Sequence, residues 1–267
     1  GNADQGFARL HLETDTDGDG FADVEKNGEV FGFARQVFPK GITTASNPFA
    51  SPALATATIG AVGNNAISLD GSVPAFAGAS CYVEITHGAN QGHRFEIDEI
   101  SSSGSQIIIE IASLRNTLKT LPATLAGDRI CIRAHRTVSE VFGEQNFVGS
   151  KNAKTADRLL FYNGVTFEIL WLWKRDNGYQ QWVREGDATL ANAGSRVIGI
   201  GEGLLVDVRN SPVTIILHGA VRQNAVALPL QVGSQLIGSV WPQAMSPDAL
   251  GMTLENQFIG ARVQSRA

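Results

Sequence analysis

Residues 158–173 read RLLFYNGVTFEILWLW, and the reading of this stretch decides the fold. Two runs rich in branched and aromatic residues flank Asn163-Gly164, a pair that adopts the positive φ of a tight turn at little cost. Strand, hairpin turn, strand is the reading. In the second arm Phe167, Ile169, Trp171 and Trp173 share one face, because successive side chains of a strand point to opposite sides. Working outward, the same pattern recurs. Toward the C-terminus strands are expected over 180–184, 203–208, 213–218, 225–230 and 254–263, with Asn210-Ser211-Pro212 as a further hairpin turn. Toward the N-terminus they are expected over 30–38, 55–62, 66–70, 81–86, 93–100, 106–112 and 129–135. Gly63-Asn64-Asn65, His87-Gly88-Ala89-Asn90 and the serine-rich 101–105 punctuate them. Residues 42–48 read as polar and turn-rich, and one short helix is expected around 113–121, stopping before Pro122.

The fold class that follows is all-β: two tandem sandwich-like or barrel-like domains, preceded by an N-terminal strand and a calcium-binding loop. The expected divisions are 1–12 for the strand, 13–29 for the calcium-binding linker, 30–137 for the first domain and 138–267 for the second. Composition agrees. Only 18% of the 267 residues are charged, 43% are hydrophobic, and 29 are glycine. There is no run of 18 apolar residues, so no membrane span is expected, and no basic patch, so nucleic acid is not an expected partner. The start Gly-Asn-Ala-Asp carries neither methionine nor signal peptide and reads as the mature end of a secreted protein. Cys81 lies in phase with Val83 and Ile85, whereas Cys131 lies in phase with Arg129 and Arg133. That phasing opposes a disulfide between them, with two unpaired thiols as the alternative to a bridge.

Residues 15–26, DTDGDGFADVEK, carry the clearest chemical signal. Asp15, Asp17 and Asp19 stand at loop positions 1, 3 and 5, Gly20 at the sharp turn, and Asp23 at position 9. Hard divalent cations take six to eight oxygens, which is the physical reason to crowd such like charges. Residues 13–29 hold seven of the 26 acidic residues and one of the 21 basic ones, so the net charge of −5 originates there and the rest of the chain is close to neutral. Position 12 is Lys26 where an EF-hand has a bidentate glutamate, so Glu25, Glu29 or a backbone carbonyl must substitute. The expected Ca2+ ligands are Asp15, Asp17, Asp19, Asp23 and Glu25. Upstream, residues 7–12 alternate as a strand, with Ala8, Leu10 and Leu12 on one face, and Asn27-Gly28 downstream is a turn. No helices flank the loop, so it is not an EF-hand. It resembles the free-standing calcium loops of thrombospondin type 3 and dockerin-like repeats, which implies a calcium-stiffened linker rather than a sensor.

A broader resemblance rests on three stretches: residues 59–69 (IGAVGNNAISL), 82–88 (YVEITHG) and 92–97 (GHRFEI). Gly201-Glu-Gly-Leu-Leu-Val206, His218-Gly219 and Ala225-Val-Ala-Leu-Pro-Leu230 extend it. Together they resemble a family of secreted β-rich proteins of environmental bacteria that has no established activity. Over residues 30–250 the resemblance implies secretion and fold rather than chemistry.

Catalytic constellations are not found in the sequence. His11, His87, His93, His135 and His218 are scattered, and no GxSxG or HExxH occurs. Gly199-Ile-Gly-Glu-Gly203 has the glycines of a phosphate loop but no following helix. No enzyme is expected. Two readings of function stand ahead of a third, a hydrolase of unrecognised β-fold that only scattered carboxylates support. In the first, Phe7, Ala8, Leu10 and Leu12 insert into the sheet of the next copy, giving a head-to-tail homopolymer with a calcium-stiffened joint, as in an extracellular fibre or surface layer. The alternative to insertion is that this strand packs on its own domain. In the second, Trp171, Trp173 and Trp182 stack on sugar rings, as in a calcium-dependent carbohydrate-binding or adhesive module. Against that stands the reading of the same tryptophans as core, which is favoured because they dominate sandwich interiors.

Overall fold

A computed structural model describes residues 5–9, 29–72, 76, 78–114, 120–228 and 233–242. In chain order its first strands are β1 (Gln5–Arg9), β2 (Val30–Phe38), β3 (Gly41–Ser46), β4 (Ala53–Val62) and β5 (Ala66–Leu69). Then come β6 (Cys81–His87), β7 (Arg94–Glu96), β8 (Gln106–Ile108), β9 (Arg129–Ala134) and β10 (Arg136–Thr137). A short helix α1 (Val138–Phe142) follows, then β11 (Arg158–Tyr162), β12 (Phe167–Lys174), β13 (Gln180–Arg184), β14 (Val197–Ile198), β15 (Gly203–Val208) and β16 (Val213–Val221). The protein is all-β, as its alternation requires.

Six strands pair antiparallel in the order β7-β6-β9-β4-β5-β8. The two ends of this row meet: the Asp98 N–H donates to the Ile108 carbonyl at 2.8 Å and the Glu110 N–H to the Glu96 carbonyl at 2.9 Å. The sheet therefore curls back on itself around one face, and alternate residues of every strand fill the inside. Isoleucines dominate there, among them Ile59, Ile67, Ile85, Ile107 and Ile132. Branched side chains suit this position because they lose little rotamer freedom on a pleated surface.

The second core is a sandwich. Its larger sheet runs β13-β12-β11-β15-β3, and its smaller one β1-β2-β16. Leu159, Leu172, Trp182 and Val206 from the first meet Phe38, Ile215 and Leu217 from the second. Helix α1 closes one end with Val138, Val141 and Phe142. A capping box starts it: the Thr137 hydroxyl accepts from the Glu140 N–H, and the Glu140 carboxylate accepts from the Thr137 N–H at 2.7 Å. Gly143, at φ +61°, ends it.

Three sequence readings need correction. Residues 41–46 form β3 in register with β15, not a turn-rich connection; Ile42, Thr43 and Thr44 are all β-branched. Asn210-Ser211-Pro212 joins strands of different sheets, so it is a corner of the sandwich rather than a hairpin turn. Residues 225–228 form no strand; there the Ala227 N–H donates to the Gly92 carbonyl. The readings over 254–263, and over the middle of 113–121, fall outside the described residues. The divisions also differ in one respect. Strands β2 and β3, grouped by sequence with 30–137, pair with β16 and β15 and complete the second core, whereas the first core draws on residues 59–132. Long-range pairing leaves no local trace, which is why order along the chain misplaces them.

Candidate functional site

Strand β1 lies at the edge of the smaller sheet, antiparallel to β2, with Gln5 opposite Ala34, Phe7 opposite Gly32, Ala8 opposite Phe31 and Arg9 opposite Val30. The strand thus pairs within its own chain. Hairpins are ordinarily closed by two to five residues, but here residues 10–29 intervene. Twenty residues reach at most about 70 Å when extended, far beyond the single strand spacing that separates Arg9 from Val30. Leu10, Leu12, Asp15, Asp17, Asp19, Asp23 and Glu25 lie outside the described residues. Glu29 is engaged elsewhere: one carboxylate oxygen pairs with Arg133, and the other accepts from the Ala53 N–H at 2.9 Å. It is therefore not a free substitute for the ligand lost at Lys26.

Arg133 leads into a buried ionic seam between the two cores. On β6, Cys81, Val83 and Ile85 face into the first core, so Tyr82 and Glu84 point the other way. Register sets Tyr82 beside Arg133 and Glu84 beside Cys131 of β9. Glu84 accepts from Arg133 Nε at 3.3 Å and lies 3.3 Å from Arg222 Nε. Arg222 also donates to the Tyr82 hydroxyl at 3.0 Å, and Arg133 to the Ser51 carbonyl at 2.6 Å. The Glu84 and Arg222 side chains are only 4% and 3% exposed. Burial pushes the Tyr82 hydroxyl above its ordinary pKa, with Glu84 adding to the shift and Arg222 opposing it. Nothing local marks these four residues, since Tyr82 and Glu84 alternate with apolar neighbours in the ordinary pattern of a strand with one solvated face.

The tryptophans do not make an exposed platform. Trp182 is fully buried opposite Leu172, its indole N–H donating to the Gly143 carbonyl at 2.8 Å. Trp171 faces the other side of the sheet and is buried against Ala156 and Val183. Trp173, half-buried beside it, has the Arg175 guanidinium 4.8 Å above its ring. The two faces follow from the strand period, since Trp171 and Leu172 are adjacent on β12. A groove of about 280 Å³ lies elsewhere, between Arg94, Tyr162, Glu202, Leu228 and Gln235. Among the described residues its lining carries one carboxylate, Glu202, held by Arg196 at 2.7 Å.

Both thiols are free and buried. Cys81 stands opposite Ala134 and Cys131 opposite Glu84, three positions apart and on opposite faces, so no bridge can form without moving the backbone. Burial pushes Cys131 up to about 12; burial, helped by the nearby Glu99 carboxylate, pushes Cys81 up to about 11. Neither is expected to react with an aromatic disulfide reagent at neutral pH until denaturant is added, when both should. Rapid labelling of the folded protein would contradict this burial. Among the described residues no three His, Cys, Asp or Glu side chains are grouped to hold a metal, and no helix is long and apolar enough to cross a membrane.

These features define an all-β protein with two cores, an ionic seam between them and an edge strand on a long tether. No family model, curated protein or solved structure matches the chain.

Proposed function

We propose that the chain is a structural subunit of an extracellular bacterial fibre or surface assembly, polymerising head-to-tail by exchange of β1. The observation that carries this reading is the pairing of β1 at a sheet edge across a twenty-residue connection. A strand that leaves its own β2 exposes that edge to the β1 of the next copy, and the same backbone hydrogen bonds form between subunits as within one. Exchange is then nearly neutral in contacts, and concentration decides its extent. Because donor and acceptor surfaces differ, the contact is heterologous and continues into a filament unless its rotation closes a ring. Calcium held by Asp15, Asp17, Asp19, Asp23 and Glu25 would remove the mutual repulsion of the tether and fix its length.

Purified protein is expected to form filaments in calcium, visible by negative stain, that fragment in excess EGTA. Deletion of residues 1–12 should leave monomers at every concentration. Filaments that persist unchanged through both treatments would show that β1 is not the joint, and a monomer that binds glycans and never assembles would favour an adhesive module.

A further inference from the structure

At the tip of the β12–β13 hairpin one arginine is held by aromatic rings instead of by a carboxylate. Trp173 stands opposite Gln181, and the next residues on that face of the two arms are Arg175 and Tyr179, joined by a 2.8 Å bond from the Arg175 N–H to the Tyr179 carbonyl. The Arg175 guanidinium lies 4.8 Å from the Trp173 ring centroid and 5.5 Å from that of Tyr179. Among the described residues it makes no ion pair. Stacking occupies the faces of a guanidinium and leaves the N–H groups at its edge to pair with an acid. Tyr179 is 49% exposed, so much of its ring is open next to Arg175.

The fold gathers around this pair cations that the sequence keeps apart. Ser150 accepts from the Lys174 N–H and donates to the Leu172 carbonyl, both at 3.0 Å, which docks the 150–155 loop on the end of β12. Lys151 and Lys154 of that loop thus join Lys174 and Arg175, and all four are exposed. The hairpin tip has one carboxylate, Asp176, which pairs with Lys151. Four cations against one acid leave a local charge of +3 on a chain whose total is −5. A partner for this surface must be acidic and must also offer a flat apolar face to an aromatic ring. A uronic acid residue has both: a carboxylate that matches the fork of Arg175, and the C–H face of its pyranose ring for Tyr179. Nucleic acid fits less well. Three uncompensated cations neutralise only about three phosphates. A base stacked on Tyr179 is separated from its phosphate by a sugar, whereas a uronic acid carries its charge on the stacking ring itself.

We infer that this tip binds an acidic polysaccharide built of uronic acids. Arg175 grips a sugar carboxylate, Tyr179 covers the same sugar ring, and Lys151, Lys154 and Lys174 attract the neighbouring carboxylates. The site lies on the larger sheet and β1 on the smaller, so the inference does not rest on strand exchange.

Calorimetric titration of the whole chain, in EGTA, with an oligomer of galacturonic acid should show binding that weakens as salt is added. The fully methyl-esterified oligomer keeps the rings without the charge and should bind about tenfold more weakly or worse. Arg175→Gln should lose about tenfold, Arg175→Lys less because the charge remains without the fork, and Tyr179→Ala about fivefold. Both side chains are exposed, so the unfolding midpoint should shift little in these variants. Equal affinity for acid and ester overturns the inference, as does full affinity in Arg175→Gln or no binding by the wild-type chain. Tighter binding of an oligothymidylate of equal charge would assign the tip to nucleic acid and overturn it too.

Discussion

Replacing Glu84 with alanine is expected to cost about 3–5 kcal/mol of unfolding free energy, the usual result of removing one partner from a buried ion pair. Glu84 stands between two guanidiniums, with Arg133 Nε and Arg222 Nε each 3.3 Å from one of its oxygens. Taking it away leaves Arg133 with Glu29 alone and Arg222 with no carboxylate, both beyond the reach of solvent. Neither arginine can shed its charge, since guanidinium stays protonated at any pH a protein survives. The cost must therefore appear as instability rather than as a shifted titration. Urea denaturation reads it as a lower midpoint. Glu84→Gln, which keeps an acceptor of the same shape but not the charge, should fall between wild type and alanine. A loss below about 1 kcal/mol for Glu84→Ala would place the cluster with solvent-screened pairs. A converse follows: replacing Glu84, Arg133 and Arg222 together by apolar residues of similar volume is expected to cost far less than Glu84→Ala, because no charge is then left unpaired.

How far the sequence disclosed this arrangement depends on the range of the interaction. Strands β2, β11, β13 and β15 begin and end where alternation and turn residues place them. Each is a local pattern, readable within ten residues. Strand β3 is harder to read because its threonines resemble a loop by polarity, although their β-branching favours a strand. At 225–228 the opposite happened: Ala-Val-Ala-Leu has strand composition, but Gly92 approaches so closely that a Cβ there would sit 3.0 Å from the Ala225 carbonyl. The segment follows that turn instead of pairing as a strand. The seam was illegible for a different reason. Tyr82 and Arg222 are 140 positions apart, and Arg133 and Glu29 are 104 apart. A charge on a strand reads as solvated unless one knows that another unit covers it. The exposed counterpart shows the same ambiguity. Phe33, Val37 and Ile216, 43%, 47% and 61% exposed, stand on the outer face of the β2–β16 pair, where pattern alone would count them as core. Calcium ligation by Asp15, Asp17, Asp19, Asp23 and Glu25 rests on sequence spacing, and the test of that loop is the EGTA arm of the filament experiment.

Trp182→Ala is the second substitution expected to unfold much of the margin, at about 3–5 kcal/mol. Its side chain is fully buried between the sheets, opposite Leu172, with the Phe147 ring edge-on at 5.4 Å. Alanine leaves a cavity that the surrounding strands cannot collapse into, because β12 and β13 are fixed by their own ladder. The indole N–H adds a second loss. It donates to the carbonyl of Gly143, the residue that ends α1, and so pins that helix to the sheet. Trp182→Phe separates the two contributions: it retains most of the ring but strands the Gly143 carbonyl, at a cost of about 1–3 kcal/mol. Trp173→Ala supplies the contrast, since that ring is half-buried under Arg175 and its loss should cost less than that of Trp182. If sugar stacking were the purpose of this aromatic cluster, the order would invert: Trp182→Ala would leave the denaturation midpoint in place and remove glycan binding. A ring sealed between two sheets cannot stack on a sugar without opening the sandwich, so the larger effect belongs on stability.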